Sequence, residues 1–164
     1  LLAHRTPPSM ISGVRDRAET AVRAGFKFIL FAPRPEAEAE AVDAYLKSLQ
    51  PVPSPYLVNG KLSAAAERGK RVFQKAGCAA CHSGPFYTDL RKADVGTGIG
   101  SEARREFDTP TLIEVWRTGP YLYDGRAQTI REVLTRYNPK DAHGVTSRLT
   151  QQEIDELAEF LLSL

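Results

Sequence analysis

The stretch Cys78-Ala79-Ala80-Cys81-His82 decides the fold of this chain. Two thiols separated by two residues can reach one edge of a porphyrin from a single turn of chain and add across its two vinyl groups. The histidine that follows directly can donate a ring nitrogen to the iron. This order of residue types is the attachment signature of c-type haem. It predicts one covalent haem c, bound by Cys78, Cys81 and His82.

The cysteine pair has two alternative interpretations, a thiol–disulfide redox pair and half of a zinc site. A redox pair of this spacing usually follows a strand in a βαβ unit, and no such pattern precedes Cys78. A zinc site needs two more ligands, and besides His82 the sequence contains only His4 and His143. No cysteine other than Cys78 and Cys81 is present to form a disulfide. The pattern therefore favours haem.

The residues before the motif predict a helix that leads the chain to the haem edge. Ser63 is a typical N-cap, helix-forming residues follow it, and Gly77 is a typical stop. Gly69 interrupts this helix at a cost of about 1 kcal/mol relative to alanine. A close crossing with another helix would explain it. The last predicted helix offers Phe160 as the partner of Gly69 in that crossing.

Periodicity and capping residues predict further helices, and the expected fold class is all-α. Thr150 and Glu153 form a capping-box pattern before the last helix. The apolar cluster Phe26–Phe31 is expected to be a buried turn, and residues 83–107 are expected to be loop. The predicted helical segments are 14–24, 36–49, 63–77, 110–116, 129–137 and 151–164.

Composition sets broad limits on partners and location. The 164 residues are 42% hydrophobic and 26% charged, with a net charge of +2. That charge is too small to indicate a nucleic acid partner. No apolar run approaches the roughly 20 residues of a membrane span. We expect neither nucleic acid binding nor a membrane span.

Segments of the first 50 residues are similar to segments of the second half. We interpret residues 1–50 as the second half of a preceding, truncated domain similar to the one formed by residues 63–164. Residues 51–62 would be a proline-rich linker between the two. The alternative is chance similarity between amphipathic helices. The matched pairs are 5–10 with 108–112, 18–22 with 129–133, and 44–49 with 159–164.

Residues 61–164 resemble the C-terminal haem domain of the bacterial di-haem cytochrome c peroxidases and the related MauG-type enzymes. The resemblance implies a cytochrome c fold whose first and last helices cross. It also implies two facing haem domains, one transferring electrons and the other meeting peroxide. Besides the haem motif, the matching stretches are Gly69-Lys70-Arg71-Val72-Phe73, Phe107-Asp108-Thr109-Pro110-Thr111-Leu112, Gly119-Pro120-Tyr121-Leu122-Tyr123-Asp124-Gly125-Arg126 and Leu149-Thr150-Gln151-Gln152-Glu153.

The chain departs from the family pattern at one position, where Tyr123 replaces a frequent histidine. Tyr123 cannot act as a base in place of that histidine. No paired carboxylates or spare histidine lie near the haem motif by spacing alone, so no catalytic residue is predicted.

The iron needs a sixth ligand opposite His82, and three residues are candidates. The family places its distal methionine where this chain has Tyr137, and MauG-type proteins bind iron through a tyrosine there. His143 is the second candidate, in a loop that could reach the iron. Met10 is the single methionine but lies upstream. Each candidate also has a structural alternative. Tyr137 could pack at a helix end, His143 could lie on the surface, and Met10 could lie in the core of the first half. The sixth position would then hold water or stay open.

Other haem contacts are predicted from residue chemistry. Arg117 and Arg126 flank the aromatic turn, and a guanidinium matches the geometry of a haem propionate. Trp116 could pack on the porphyrin edge, or in the core.

The resulting expectation is an electron-transfer haem domain of a di-haem peroxidase or MauG-like oxidoreductase. The alternatives are a stand-alone mono-haem electron carrier and an accessory domain of a longer protein. Its partner would be a redox protein or a second haem domain, and in the peroxidases a calcium ion bridges the two domains. Haem c is attached outside the cytoplasm, yet the chain opens without methionine or a leader. We therefore expect a fragment of a periplasmic or otherwise extracytoplasmic protein.

Overall fold

The structure is a computed structural model that describes residues 5–164. The expectations for His4 lie outside the described residues. The described part is mostly helical, as predicted, with one small sheet that was not predicted. Its helices are Ala18–Ala24 (α1), Glu36–Ser48 (α2), Ala64–Lys75 (α3), Ile130–Leu134 (α4) and Gln151–Leu162 (α5). The strands Lys92–Ala93 (β1) and Phe107–Asp108 (β2) pair antiparallel, with Lys92 opposite Asp108.

The predicted crossing of α3 and α5 at Gly69 is confirmed. A Cβ atom built on Gly69 would lie 1.9 Å from the backbone oxygen of Glu156 and 2.9 Å from Cβ of Phe160. No side chain fits at that distance, so only glycine allows the two helices to approach so closely. The rings of Phe73 and Phe160 meet edge to face beside the crossing, with centroids 5.4 Å apart. This crossing is the centre of the buried core.

The predicted helix ends are also confirmed at both of these helices. The Ser63 hydroxyl accepts from the Ala66 backbone N–H at 3.0 Å and caps α3. Gly77 ends that helix with a φ of 79°. Thr150 and Glu153 form the complete capping box at the start of α5. These caps satisfy backbone donors that the helices themselves leave unpaired.

The predicted helix over 110–116 is wrong, because only Val115–Arg117 forms a helical turn. Glu114 has a φ of 63°, outside the helical region. Its backbone N–H donates to the Leu164 oxygen at 2.9 Å, and its carboxylate accepts from the Val52 N–H at 2.7 Å. These long-range bonds outweigh the local helical preference. The helix predicted over 129–137 is also too long, because α4 ends at Leu134.

The expectation that Phe26–Phe31 is buried is wrong as well. A wide helical turn, Gly25–Ile29, continues from α1. Phe28 is 55% exposed and Phe31 is 83% exposed. The helix pair α1 and α2 is small, and no other described residue covers its end.

The proline-rich segment lies against the domain that follows it. The Ser54 hydroxyl donates to the Leu162 backbone oxygen at 2.5 Å, and Ser54 is buried. Together with the bond from Val52 to Glu114, this contact fixes the segment on the end of α5.

The two halves of the chain contain the same turn before a helix. Tyr121 and Ala127 form an antiparallel bridge with N–O distances of 2.7 and 3.3 Å, and α4 follows. Ser9 and Arg15 form the same bridge with distances of 2.6 and 3.3 Å, and α1 follows. Residues 9–15 and 121–127 therefore share a bridge and a helix that follows it, whereas the similarity between 5–10 and 108–112 stays a sequence-based prediction.

Candidate haem site

A cavity of about 360 Å³ lies between the end of α3, the segment after β2, α4 and the loop before α5. This volume falls within the roughly 300–1,000 Å³ of typical cofactor pockets. Most lining residues are apolar, and two histidines are among the exceptions. Cys78, Cys81 and His82 all line this cavity.

The attachment motif forms a tight turn directly after Gly77. Cys78–Ala80 makes a single helical turn, and the His82 N–H donates to the Cys78 oxygen at 2.9 Å. Burial raises the pKa of the Cys78 thiol to about 11. A reactive redox cysteine has a lowered pKa instead. The environment of Cys78 therefore agrees with a haem thioether better than with a redox pair.

His82 is oriented by a backbone contact and kept neutral by burial. Its Nδ1 lies 3.1 Å from the Tyr87 backbone oxygen. A proton donated from Nδ1 to that carbonyl leaves the lone pair on Nε2, as is usual for a histidine that binds a metal. His82 is 9% exposed, and burial lowers its pKa below the ordinary value. Neutral imidazole is the form that coordinates a metal.

His143 lines the same cavity and faces His82. The two ring centroids are 6.2 Å apart, with 43° between the ring planes. Two metal–imidazole bonds of about 2 Å each, with the offset from each ring centre to its nitrogen, span about 6 Å. Burial, with a smaller contribution from His82, lowers the pKa of His143 to about 4. The two neutral imidazoles are therefore spaced as axial ligands of one iron would be.

Tyr137 and Met10 are placed elsewhere. Tyr137 does not line the cavity, and its hydroxyl donates to the Arg126 backbone oxygen at 3.0 Å. The guanidiniums of Arg126 and Arg136 lie over its ring, 5.2 and 5.3 Å from the centroid. Met10 is 56% exposed and is likewise outside the cavity lining. Of the three candidate ligands, the structure brings only His143 to His82.

The three other predicted haem contacts do not line the cavity. Arg117 forms an ion pair with Glu114. Trp116 has a buried indole N–H without a hydrogen-bond partner in the described part of the chain. Arg126 bonds to the backbone oxygen of Thr97, which does line the cavity. Arg126 therefore contacts a residue of the cavity wall without lining the cavity itself.

Asp108 and Ile11 are among the cavity residues that sequence reasoning missed. Asp108 lines the cavity, and its Oδ1 is buried without a hydrogen-bond partner among residues 5–164. Burial, followed by the charge of Asp89, raises the pKa of Asp108 to about 6. Ile11 of the first half also lines the cavity, and its oxygen accepts from the Asp108 N–H at 3.0 Å. The family-like stretch 107–112 could have indicated Asp108, but no sequence signal indicates Ile11.

No group of three or more His, Cys, Asp or Glu residues in the described chain is arranged to hold a metal ion. The expectation of calcium stays a prediction. Within residues 5–164, no helix has the length and apolar character that crossing a membrane requires.

Curated relatives match this chain over part of their length. Hydrazine synthase subunit gamma of Kuenenia stuttgartiensis is 32% identical, over 76% of this chain and 48% of the relative. A cytochrome-c peroxidase of Denitromonas iodatirespirans is 30% identical, over 63% and 41%. The methylamine utilization protein MauG of Methylorubrum extorquens is 36% identical, over 46% and 26%. The chain thus spans about half, or less, of the curated relatives it matches.

Solved structures show the same fold. A structure of Kuenenia stuttgartiensis hydrazine synthase under xenon pressure superposes with a TM-score of 0.87 and 27% identity, over 99% of this chain and 70% of the other. A MauG-like protein associated with microbial copper homeostasis superposes with a TM-score of 0.72, over 96% and 69%, and its 17% identity supports the fold alone.

The family model for cytochrome c matches residues 66–164, which contain the motif, the crossing helices and His143. The similarity to the peroxidase and MauG family is also confirmed by these relatives. The paired cysteines and the two facing, neutral imidazoles fit haem c, the cofactor that the family implies. The chain therefore belongs to the cytochrome c family.

Proposed function

We propose that this chain is a haem c domain that transfers single electrons within a larger di-haem oxidoreductase of the peroxidase and MauG type. When bound, haem c supplies a one-electron couple between ferric and ferrous iron. The observation that carries the proposal is the separation of 6.2 Å between the His82 and His143 rings. Two imidazoles at that spacing could both bind the iron of one bound haem, which would then have no open position for peroxide.

Each residue of the site has a defined part in this proposal. Cys78 and Cys81 form the two thioethers. His82 would bind the iron through Nε2, with Nδ1 directed at the Tyr87 oxygen, and His143 would bind it as the second ligand. Burial keeps both rings neutral, so that their lone pairs are available. Haem c is attached outside the cytoplasm, so we place the protein there.

We also propose that residues 1–50 are the second half of a preceding cytochrome c-like domain. Two observations support this division. The turn over 9–15 and the turn over 121–127 have the same bridge and each precedes a helix. The first turn also touches the cavity of the second domain through Ile11. The electron partner would then be a haem in the preceding domain.

The axial ligands are tested by the optical and electron paramagnetic resonance spectra of the ferric protein and two variants. We expect a low-spin wild type, an unchanged Tyr137→Phe variant and a high-spin His143→Ala variant. Tyr137→Phe is the matched control, because it removes one hydroxyl outside the cavity. A spectrum that changes in Tyr137→Phe and not in His143→Ala would reject the proposed ligand pair.

A further inference from the structure

Asn138 forms hydrogen bonds with both the backbone N–H and the backbone oxygen of His143. Its Oδ1 accepts from the His143 N–H at 2.9 Å. Its Nδ2 donates to the backbone oxygens of His143 at 3.2 Å and Gly144 at 2.8 Å. A third contact of Nδ2 reaches the Thr146 hydroxyl oxygen at 2.8 Å. Asn138 is 4% exposed, so these bonds form away from water and are costly to break.

Other bonds tie the rest of this loop, residues 138–147, into a fixed shape. Asp141 has a φ of 54°, and its Oδ1 accepts from the N–H groups of Thr146 and Ser147, both at 2.9 Å. The Thr146 hydroxyl donates to the Leu134 oxygen of α4 at 2.7 Å. The loop is therefore a folded element, although it has no regular secondary structure.

The loop also contacts the start of the haem-attachment turn, at Ala76 and Cys78. The Val145 N–H donates to the Ala76 oxygen at 2.9 Å. A Cβ built on Gly144 would lie 3.2 Å from the same oxygen and 3.5 Å from the sulfur of Cys78. Gly144 has a φ of 81°, which disfavours other residues. These contacts set the distance between His143 and the turn that carries His82.

Only a side chain of one kind can make the contacts of Asn138. It must accept from an amide and donate to two carbonyls within a buried space. Aspartate lacks the donors, leucine lacks both functions, and glutamine is one carbon longer. A loop held in its ligating shape before coordination loses little entropy when the histidine binds.

From this arrangement we infer that Asn138 is a positioning residue. It holds His143 as the distal ligand in both the ferric and the ferrous state, and thereby keeps small ligands off the metal. The inference rests on the proposed function, in which His143 is the second axial ligand. It adds the claim that ligation persists because the loop is preorganised by one side chain.

The test compares Asn138→Ala with Ser147→Ala in the haem-loaded protein, using carbon monoxide as the probe. Ser147→Ala is the matched control, since it removes the exposed bond from Ser147 to Asp141 in the same loop and touches neither His143 nor the cavity. We expect the ferrous Asn138→Ala protein to bind carbon monoxide about tenfold faster than wild type, because several buried hydrogen bonds are lost. The control should bind at the wild-type rate.

The outcomes separate this inference from the proposed function. If His143→Ala leaves the low-spin spectrum unchanged, the proposed ligand pair is rejected and the inference with it. If His143→Ala abolishes that spectrum but Asn138→Ala binds carbon monoxide like wild type, only the positioning role is overturned.

A measurement on the wild-type protein covers the case in which Asn138→Ala does not fold. Amide hydrogen exchange of His143 should be as slow as that of Val145, whose N–H donates to Ala76. Fast exchange at His143 would show that the bond to Asn138 is not maintained, and would overturn the inference.

Discussion

At the scale of single residues, burial decides the chemistry of the site. His82 and His143 face each other in an apolar cavity, and burial keeps both imidazoles neutral. Asp108 shares that cavity, and burial makes its negative charge unfavourable. The same physical effect therefore keeps two imidazoles in the form that can bind iron and gives one acid a pKa near neutral pH.

Asp108 should make the reduction potential depend on pH. Its pKa is raised to about 6, so it carries a proton below that pH and a negative charge above it. A carboxylate at the cavity stabilises the ferric state. The midpoint potential should therefore fall as pH rises through about 6, by an amount on the order of tens of millivolts. Potentiometric titration from about pH 5 to about pH 7 measures this fall.

The variant Asp108→Asn should lack most of that fall. Asp94→Asn is a suitable control, because Asp94 is exposed on the neighbouring segment. The charges facing Asp108 are those of Asp89 and Lys92, and both remain in the two variants. The same raised pKa predicts that the contribution of Asp108 to stability is present at low pH and is lost as pH rises through about 6. Equal pH slopes in wild type and Asp108→Asn would refute this assignment.

At the scale of elements, the crossing of α3 and α5 holds the attachment turn in place. Gly69→Ala gains about 1 kcal/mol of helix propensity. The added Cβ would lie 1.9 Å from the Glu156 oxygen, and relieving such a clash costs about 1–3 kcal/mol or more. A clash with a backbone atom lies at the upper end of that range, so we expect a net loss of stability of about 2 kcal/mol and a lower Tm in thermal unfolding. Lys70→Ala, at the next and exposed position, should change little, and an unchanged Tm in Gly69→Ala would contradict the crossing as described.

Elements were predictable where local chemistry decides them. Helix starts are marked by the capping side chains of Ser63, Thr150 and Glu153. The end of α3 is marked by Gly77, which has no side chain. The helix predicted after Thr109 failed because Glu114 forms bonds to distant parts of the chain, and no local pattern reports those.

The candidate site was likewise predictable only where its residues are adjacent in the sequence. Cys78, Cys81 and His82 are adjacent in sequence, so their chemistry can be read directly from the pattern. The position of His143, the proposed second ligand, depends on how a loop folds, and the family resemblance favoured Tyr137 over His143. Asn138 and Gly144, on either side of His143, explain its placement only once their contacts are seen.

At the scale of the whole molecule, the first half of the chain contributes to the site of the second. Ile11 lines the haem cavity, and its oxygen bonds to Asp108. The proline-rich segment is fixed on α5 through Ser54. Both contacts join the first part of the chain to the second. The repeated turn supports a preceding domain of the same kind.

If residues 1–50 belong to a preceding domain of the same kind, as proposed, a chain that includes that domain should carry two haems. The expected result is a haem concentration, measured from the pyridine haemochrome absorbance, that is twice the protein concentration. The same assay on the 164 residues described by this sequence should give one haem, which serves as the internal control. A ratio of one in the longer chain would reject the preceding haem domain and would not affect the proposal for residues 63–164.

The central claim is that His82 and His143 together ligate one iron. The most direct measurement is pulsed electron paramagnetic resonance of the ferric wild-type protein labelled with ¹⁵N-histidine. Two imidazole nitrogens strongly coupled to a low-spin iron are the predicted result. A single coupled imidazole, with phenolate or water in the other axial position, would contradict the account.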